Sequence, residues 1–95
     1  MGGILRSVEI AKLCRTEGLK FIIGAQVGET SLLTRSALLL ANNYRNCVLS
    51  QEGAFGTYLL RHDITANPIM FGLGGIVDFV AGGLTDYGLG IECNL

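Results

Sequence analysis

Residues 20–41, Lys-Phe-Ile-Ile-Gly-Ala-Gln-Val-Gly-Glu-Thr-Ser-Leu-Leu-Thr-Arg-Ser-Ala-Leu-Leu-Leu-Ala, constrain the fold more than any other stretch. An apolar run with β-branched residues, Phe21 to Ile23, stops at Gly24. A helical pattern opens at Thr30 or Ser31, either of which is a good N-cap. Between them lies a short polar loop carrying Gln26 and Glu29. Strand, polar loop and helix make a βα unit. In barrels built of such units, the loop after each strand faces the active site. Gln26 and Glu29 therefore stand where chemistry is expected.

The flanking sequence extends this unit in both directions. Ile4, Val8, Ala11 and Cys14 or Arg15 fall on one helical face, flanked by Leu5 and Leu13. Gly18 ends that helix as a left-handed cap. Leu19 to Gly24 reads as a short strand, and its unbroken apolar run favours a parallel sheet over a half-wet one. Leu32, Leu33, Ser36, Ala37, Leu39 and Leu40 form the stripe of a second helix, closed at Asn42-Asn43. Cys47 to Ser50 is a second short strand. Helix, strand, helix, strand with short links predicts a right-handed parallel α/β unit. After Gln51 glycines break the chain into short pieces, with Ile76–Val80 and Gly88–Glu92 as candidate antiparallel strands. The organisation expected is a partial (β/α) barrel over 1–52 and a Gly-rich tail over 53–95.

Composition sets limits on this unit. The chain has 95 residues, enough for one small domain. It is 49% hydrophobic and 16% charged, where about 25% charged is usual. A chain this apolar is expected to bury surface against another sequence. Net charge is −1 with no basic run, which argues against nucleic acid. Cys14, Cys47 and Cys93 are odd in number and widely spaced. They match neither a disulfide framework nor a zinc pattern, and a reducing, cytoplasmic setting is expected. Met1 to Arg6 has no signal-peptide character. Asp78 and Asp86 interrupt the apolar stretch from Ile69 to Ile91, so no membrane span is expected there.

Four segments in order resemble the C-terminal part of the enolase superfamily, in its mandelate racemase and muconate-lactonizing branch. Gly2-Gly3 before a helix looks like that family's sixth strand exit. GLKFIIGAQVGETSLLTRSALLLA, residues 18–41, looks like its seventh strand and helix, where a Glu commonly stands at the place of Glu29. CVLSQEGAFG, residues 47–56, is similar to the eighth strand and its loop. NPIMFGLGGIVDFVAGGLTDYGLGIE, residues 67–92, looks like the final segment, with Asp86-Tyr87 where the family usually has Pro. The resemblance implies that the chain is the last part of a TIM barrel. It also implies that metal-binding carboxylates and catalytic lysines lie on strands preceding Gly2. The His of the mandelate racemase branch would fall near Ala25 and is absent.

Each singled-out residue carries two readings. Glu29 is a substrate contact or orienting group at the barrel mouth, or a charge favoured near a helix N-terminus. Gln26 is a substrate hydrogen-bonding group or a loop polar residue. Glu52 either faces the same mouth, where a pair of carboxylates orients a Lys or a substrate amine, or is a solvated loop residue. Phe55 lines a pocket or simply packs. His62, the single histidine, reads as a surface residue, and Cys14 and Cys47 as small core residues. Gly24 to Thr30 departs from a phosphate loop in spacing, with Glu29 where the Lys belongs. Gly72-Leu-Gly-Gly75 lacks the strong helix that a dinucleotide loop needs.

The resemblance implies a magnesium-dependent isomerase or lyase that abstracts a proton α to a carboxylate in an acid substrate. Racemisation, epimerisation, cycloisomerisation and dehydration all belong to this class. This chain would contribute Gln26, Glu29 and Glu52 at the mouth and be inactive alone, with no cofactor of its own. Its partner would be the N-terminal remainder of the barrel or a self-associating copy. The alternatives are an assembly module completing a barrel with another chain, and an independent small α/β domain without catalysis. By itself the tail from about Gly53 is expected to pack poorly, because each ordered glycine costs more backbone entropy than other residues.

Overall fold

The computed structural model describes residues 2–53, 56–77 and 88–94, with Thr57 described by its backbone alone. Helix α1 spans Ile4–Thr16, strand β1 Phe21–Ile23, helix α2 Ser31–Asn43 and strand β2 Val48–Gln51. A one-turn helix α3, Gly56–Leu59, and a 3-10 turn, Leu73–Gly75, follow. The chain is a small α/β protein, with α1 and α2 beside a two-stranded parallel sheet. Phe21 pairs with Val48, Ile22 with Ser50 and Ile23 with Gln51, with an irregularity after Phe21. Parallel strands need a crossover, and α2 supplies it.

Local chemistry explains the element ends. Gly18 has φ 67°, a left-handed conformation that costs glycine least. There the Leu19 amide donates to the Cys14 carbonyl at 2.8 Å and the Gly18 amide to Arg15 at 3.4 Å. These two bonds form a Schellman cap. Helix α2 starts differently from the sequence expectation. Thr30 is the N-cap residue, but its side chain makes no capping bond. The cap comes from Asp63, 32 residues away, whose Oδ2 accepts the Ser31 amide at 2.8 Å and the Ser31 hydroxyl at 2.7 Å.

The packing forms two clusters. In the first, Ala11, Tyr44 and Cys47 are buried, with Phe21, Leu40 and Val48 against them. Arg15 stacks over the Tyr44 ring at 5.2 Å. Cys47 is a core residue, while Cys14 is only half-buried. The second cluster joins α2 to the tail. Ser31, Thr34, Arg35 and Leu38 are buried there, together with Thr65 and Ile69. The Ile69 amide donates to the Ser31 hydroxyl oxygen at 2.7 Å, and Arg35 Nε donates to the Leu89 carbonyl at 2.9 Å. The tail is thus tied to α2 from Asp63 to Ile69, where loose packing was expected.

The expected antiparallel tail strands are a second correction. Gly88 to Gly90 form a turn and a bend, and Ile76 and Val77 are in no strand. Asp78 to Val80 lie outside the described residues. Antiparallel pairing among the described residues is a single bridge, Thr65 to Cys93. The glycines explain why, since they bend a chain more readily than they extend it. No helix among the described residues is long and apolar enough to cross a membrane.

Candidate functional site

The carboxyl-terminal ends of β1 and β2 carry the candidate residues. Beyond Ile23 the chain leaves the sheet through Gly24 and turns at Val27-Gly28 before α2. The Glu52 amide donates to the Ile23 carbonyl at 2.9 Å, so the loop after β2 stays joined to the end of β1. This places Gln26, Glu29 and Glu52 at the same end of the sheet, since parallel strands share an end.

Two consecutive amides organise the carboxylates. Ala25 N–H donates to Glu52 Oε2 at 3.3 Å. Gln26 N–H donates to Glu29 Oε1 at 2.8 Å, and Glu29 N–H returns to the Gln26 carbonyl at 3.3 Å. Glu29 is half-buried, while Gln26 and Glu52 are exposed. Gln26 enters the arrangement through its backbone. The two carboxylates border different cavities. Glu29 lines a groove between α1, β1 and α2, and Glu52 a cavity between α2, the end of β2 and the tail. The ion pair among the described residues is Arg6–Glu9 at 2.9 Å, far along the chain on α1. Both mouth carboxylates therefore stand without a cation from the described residues.

Glycine fixes how the two loops meet. A Cβ on Gly56 would lie 1.4 Å from the Glu29 carbonyl oxygen, so α3 presses its bare backbone onto the loop after β1. Phe55 lies outside the described residues. His62 is exposed, as its sequence setting predicts.

Asp63 is the residue that the sequence reading missed. Besides capping α2, its Oδ1 accepts the Thr65 amide at 3.0 Å and the Thr65 hydroxyl at 2.9 Å. Partial burial pushes its carboxyl pKa up, but the hydrogen bonds from Ser31 and Thr65 outweigh this and hold it below the ordinary carboxylate value. The local signal was Asp63-Ile-Thr65, an aspartate positioned to bond its own backbone two residues on. The long-range half of the network had no local signal.

Among the described residues no three His, Cys, Asp or Glu side chains are grouped to hold a metal ion. In comparisons with known proteins, no family model, no curated protein and no solved structure matches the chain.

Proposed function

We propose that the chain is the closing part of a (β/α) barrel of the enolase-superfamily type, inactive alone, whose partner sequence supplies the metal ligands and proton-abstracting bases. The supporting observation is the pairing of β1 with β2 in parallel, with Glu29 and Glu52 held on adjacent loop amides at one end. That is the end where barrels of this kind carry their chemistry. The outer surfaces agree with it. Ile22 and Leu49 project from the two strands at 59% and 67% exposure. Among the described residues each strand also has an unpaired edge, which further strands of a barrel would satisfy.

In the completed enzyme the acid substrate would lose its α-proton to a base from the partner sequence. Gln26 would hydrogen-bond the substrate, and Glu29 and Glu52 would orient a Lys of the partner sequence or a substrate amine. The assembly reading differs only in whether the remainder is translated as part of the same polypeptide or separately. An independent domain without a partner is disfavoured by the exposed Ile22 and Leu49.

The test is genetic and then chemical. DNA upstream of Met1 should encode, in frame or as a neighbouring gene, a Lys-x-Lys strand and three spaced carboxylates. The joined or co-expressed product should exchange the α-proton of a carboxylic acid with deuterium in a magnesium-dependent manner. Upstream DNA without such strands, together with a stable monomeric chain, would overturn the reading.

A further inference from the structure

We propose that the tail is a strap that sets the position of Glu29, with Asp63 as the positioning residue. The inference deepens the barrel reading, on which it rests only in taking the loop after β1 as the mouth.

The strap is clasped to itself. Thr65 and Cys93 form an antiparallel bridge. The Ala66 amide donates to the Glu92 carbonyl at 2.9 Å, and the Asn94 amide to the Ile64 carbonyl at 2.7 Å. This clasped piece is tied to α2 through Ser31, which is 1% exposed. The Ser31 hydroxyl donates to Asp63 Oδ2 and accepts from the Ile69 amide, both at 2.7 Å. The Ser31 amide donates to the same Oδ2 at 2.8 Å. Oδ1 takes the Thr65 amide and hydroxyl. One carboxylate therefore joins the first residue of α2 to the strap. Arg35, one turn further along α2, adds a bond from Nε to the Leu89 carbonyl at 2.9 Å.

The end of the loop after β1 lies between two contacts with the chain beyond β2. On one side α3 rests on its backbone, where a Cβ on Gly56 would lie 1.4 Å from the Glu29 carbonyl oxygen. On the other, Ser31 is held by Asp63, and only Thr30 separates Ser31 from Glu29. Thr30 makes no side-chain capping bond of its own. The Gln26 amide reaches Glu29 Oε1 at 2.8 Å, and the Glu29 amide returns to the Gln26 carbonyl at 3.3 Å. A simple helix cap governs only the first turn of its helix. Here the same carboxylate governs the Gln26–Glu29 pair as well, because the backbone between Glu29 and Ser31 is too short to absorb a displacement.

Hydrogen exchange read by fragment-resolved mass spectrometry on the full chain tests this, and it tolerates self-association. In the parent protein the Gln26, Glu29 and Ser31 amides should be protected. Asp63→Ala should speed all three by about fivefold to thirtyfold, the factor that a lost cap predicts. Ala11, in the other packing cluster, should keep its parent rate. Asp63→Asn keeps a carbonyl acceptor for Ser31 and should fall between the two. Acceleration confined to Ser31 and the Thr65–Ile69 stretch would make Asp63 a helix cap only and overturn the proposal. So would Gln26 and Glu29 amides that exchange at the unstructured rate in the parent, or equal acceleration by Thr30→Ala. If Asp63→Ala speeds Ala11 equally, Thr65→Val decides by the same comparison, since it removes one donor from Oδ1 and leaves the Ser31 bonds. Upstream DNA without barrel strands would sink the barrel reading and leave this coupling standing, because every group in it belongs to this chain. Encoded strands with acceleration confined to Ser31 would do the opposite.

Discussion

Asp63 shows how one side chain organises a distant element. It caps α2 in place of Thr30 and closes its own turn through Thr65. Asp63→Ala should therefore cost about 1–2 kcal/mol, the usual cost of losing a cap, while Thr30→Ala should stay within about 0.5 kcal/mol. Urea unfolding at neutral pH measures both. The carboxyl pKa is lowered in the folded chain. Its contribution is thus fully present above the unfolded value of about 3.9 and is lost as pH falls through the folded value. Parent protein should lose more stability than Asp63→Asn between about pH 5 and pH 3. Equal losses would show that the carboxylate does not hold the tail. Gly56 makes a steric case. With its Cβ position 1.4 Å from the Glu29 carbonyl oxygen, Gly56→Ala must move backbone, and should destabilise by about 1–3 kcal/mol or more. A wild-type melting temperature for that variant would show that α3 does not rest on the loop after β1.

Each helix ends or begins by a different device, and the difference predicts how each responds to mutation. Helix α1 is closed locally, by Gly18 with its φ of 67°. Gly18→Ala forces a Cβ into the left-handed region and should cost about 1 kcal/mol, read as lost helical signal and stability. Helix α2 begins through a contact 32 residues away in sequence, so its first turn should open when the tail detaches. Amide exchange should show the start of α2 and the Thr65–Ile69 stretch opening together. Independent exchange of these two segments would contradict a shared cluster. The strands are short, three and four residues, and a two-stranded sheet is marginal without further cover. Their persistence here rests on the Phe21 and Val48 contacts with Ala11, Tyr44 and Cys47.

The surface of the entire chain carries the remaining prediction. Among the described residues large apolar side chains lie open, Leu5 at 79%, Val27 at 84% and Leu73 at 98% exposure among them. Expressed alone, the chain should self-associate at micromolar concentration in sedimentation velocity. Ile22→Lys with Leu49→Lys should reduce that association while leaving the helical signal intact, because both side chains are exposed. A sharp monomeric boundary for the parent chain would mean that this surface needs no partner.

The order helix, strand, helix, strand could be read from periodicity because each piece is stabilised within its own window. The apolar stripe of α2, the Gly18 cap and the unbroken run at Phe21–Ile23 are all local signals. Glu29 could be placed for the same reason, since it stands between a strand end and a helix start and bonds an amide three residues away. Folding alone set the partners that lie far apart in sequence. Glu52 reaches the Ala25 amide across 27 residues, Asp63 reaches Ser31 across 32, and Arg35 reaches Leu89 across 54. No residue type announces such a contact. Asp63 satisfies an orphan helix amide that Thr30 would serve equally well by composition, and geometry in three dimensions chose between them. The tail followed the same logic. Glycine content predicted looseness, but from Asp63 to Ile69 the burial of Ile69 and four hydrogen bonds to one carboxylate offset the entropy of ordering that stretch.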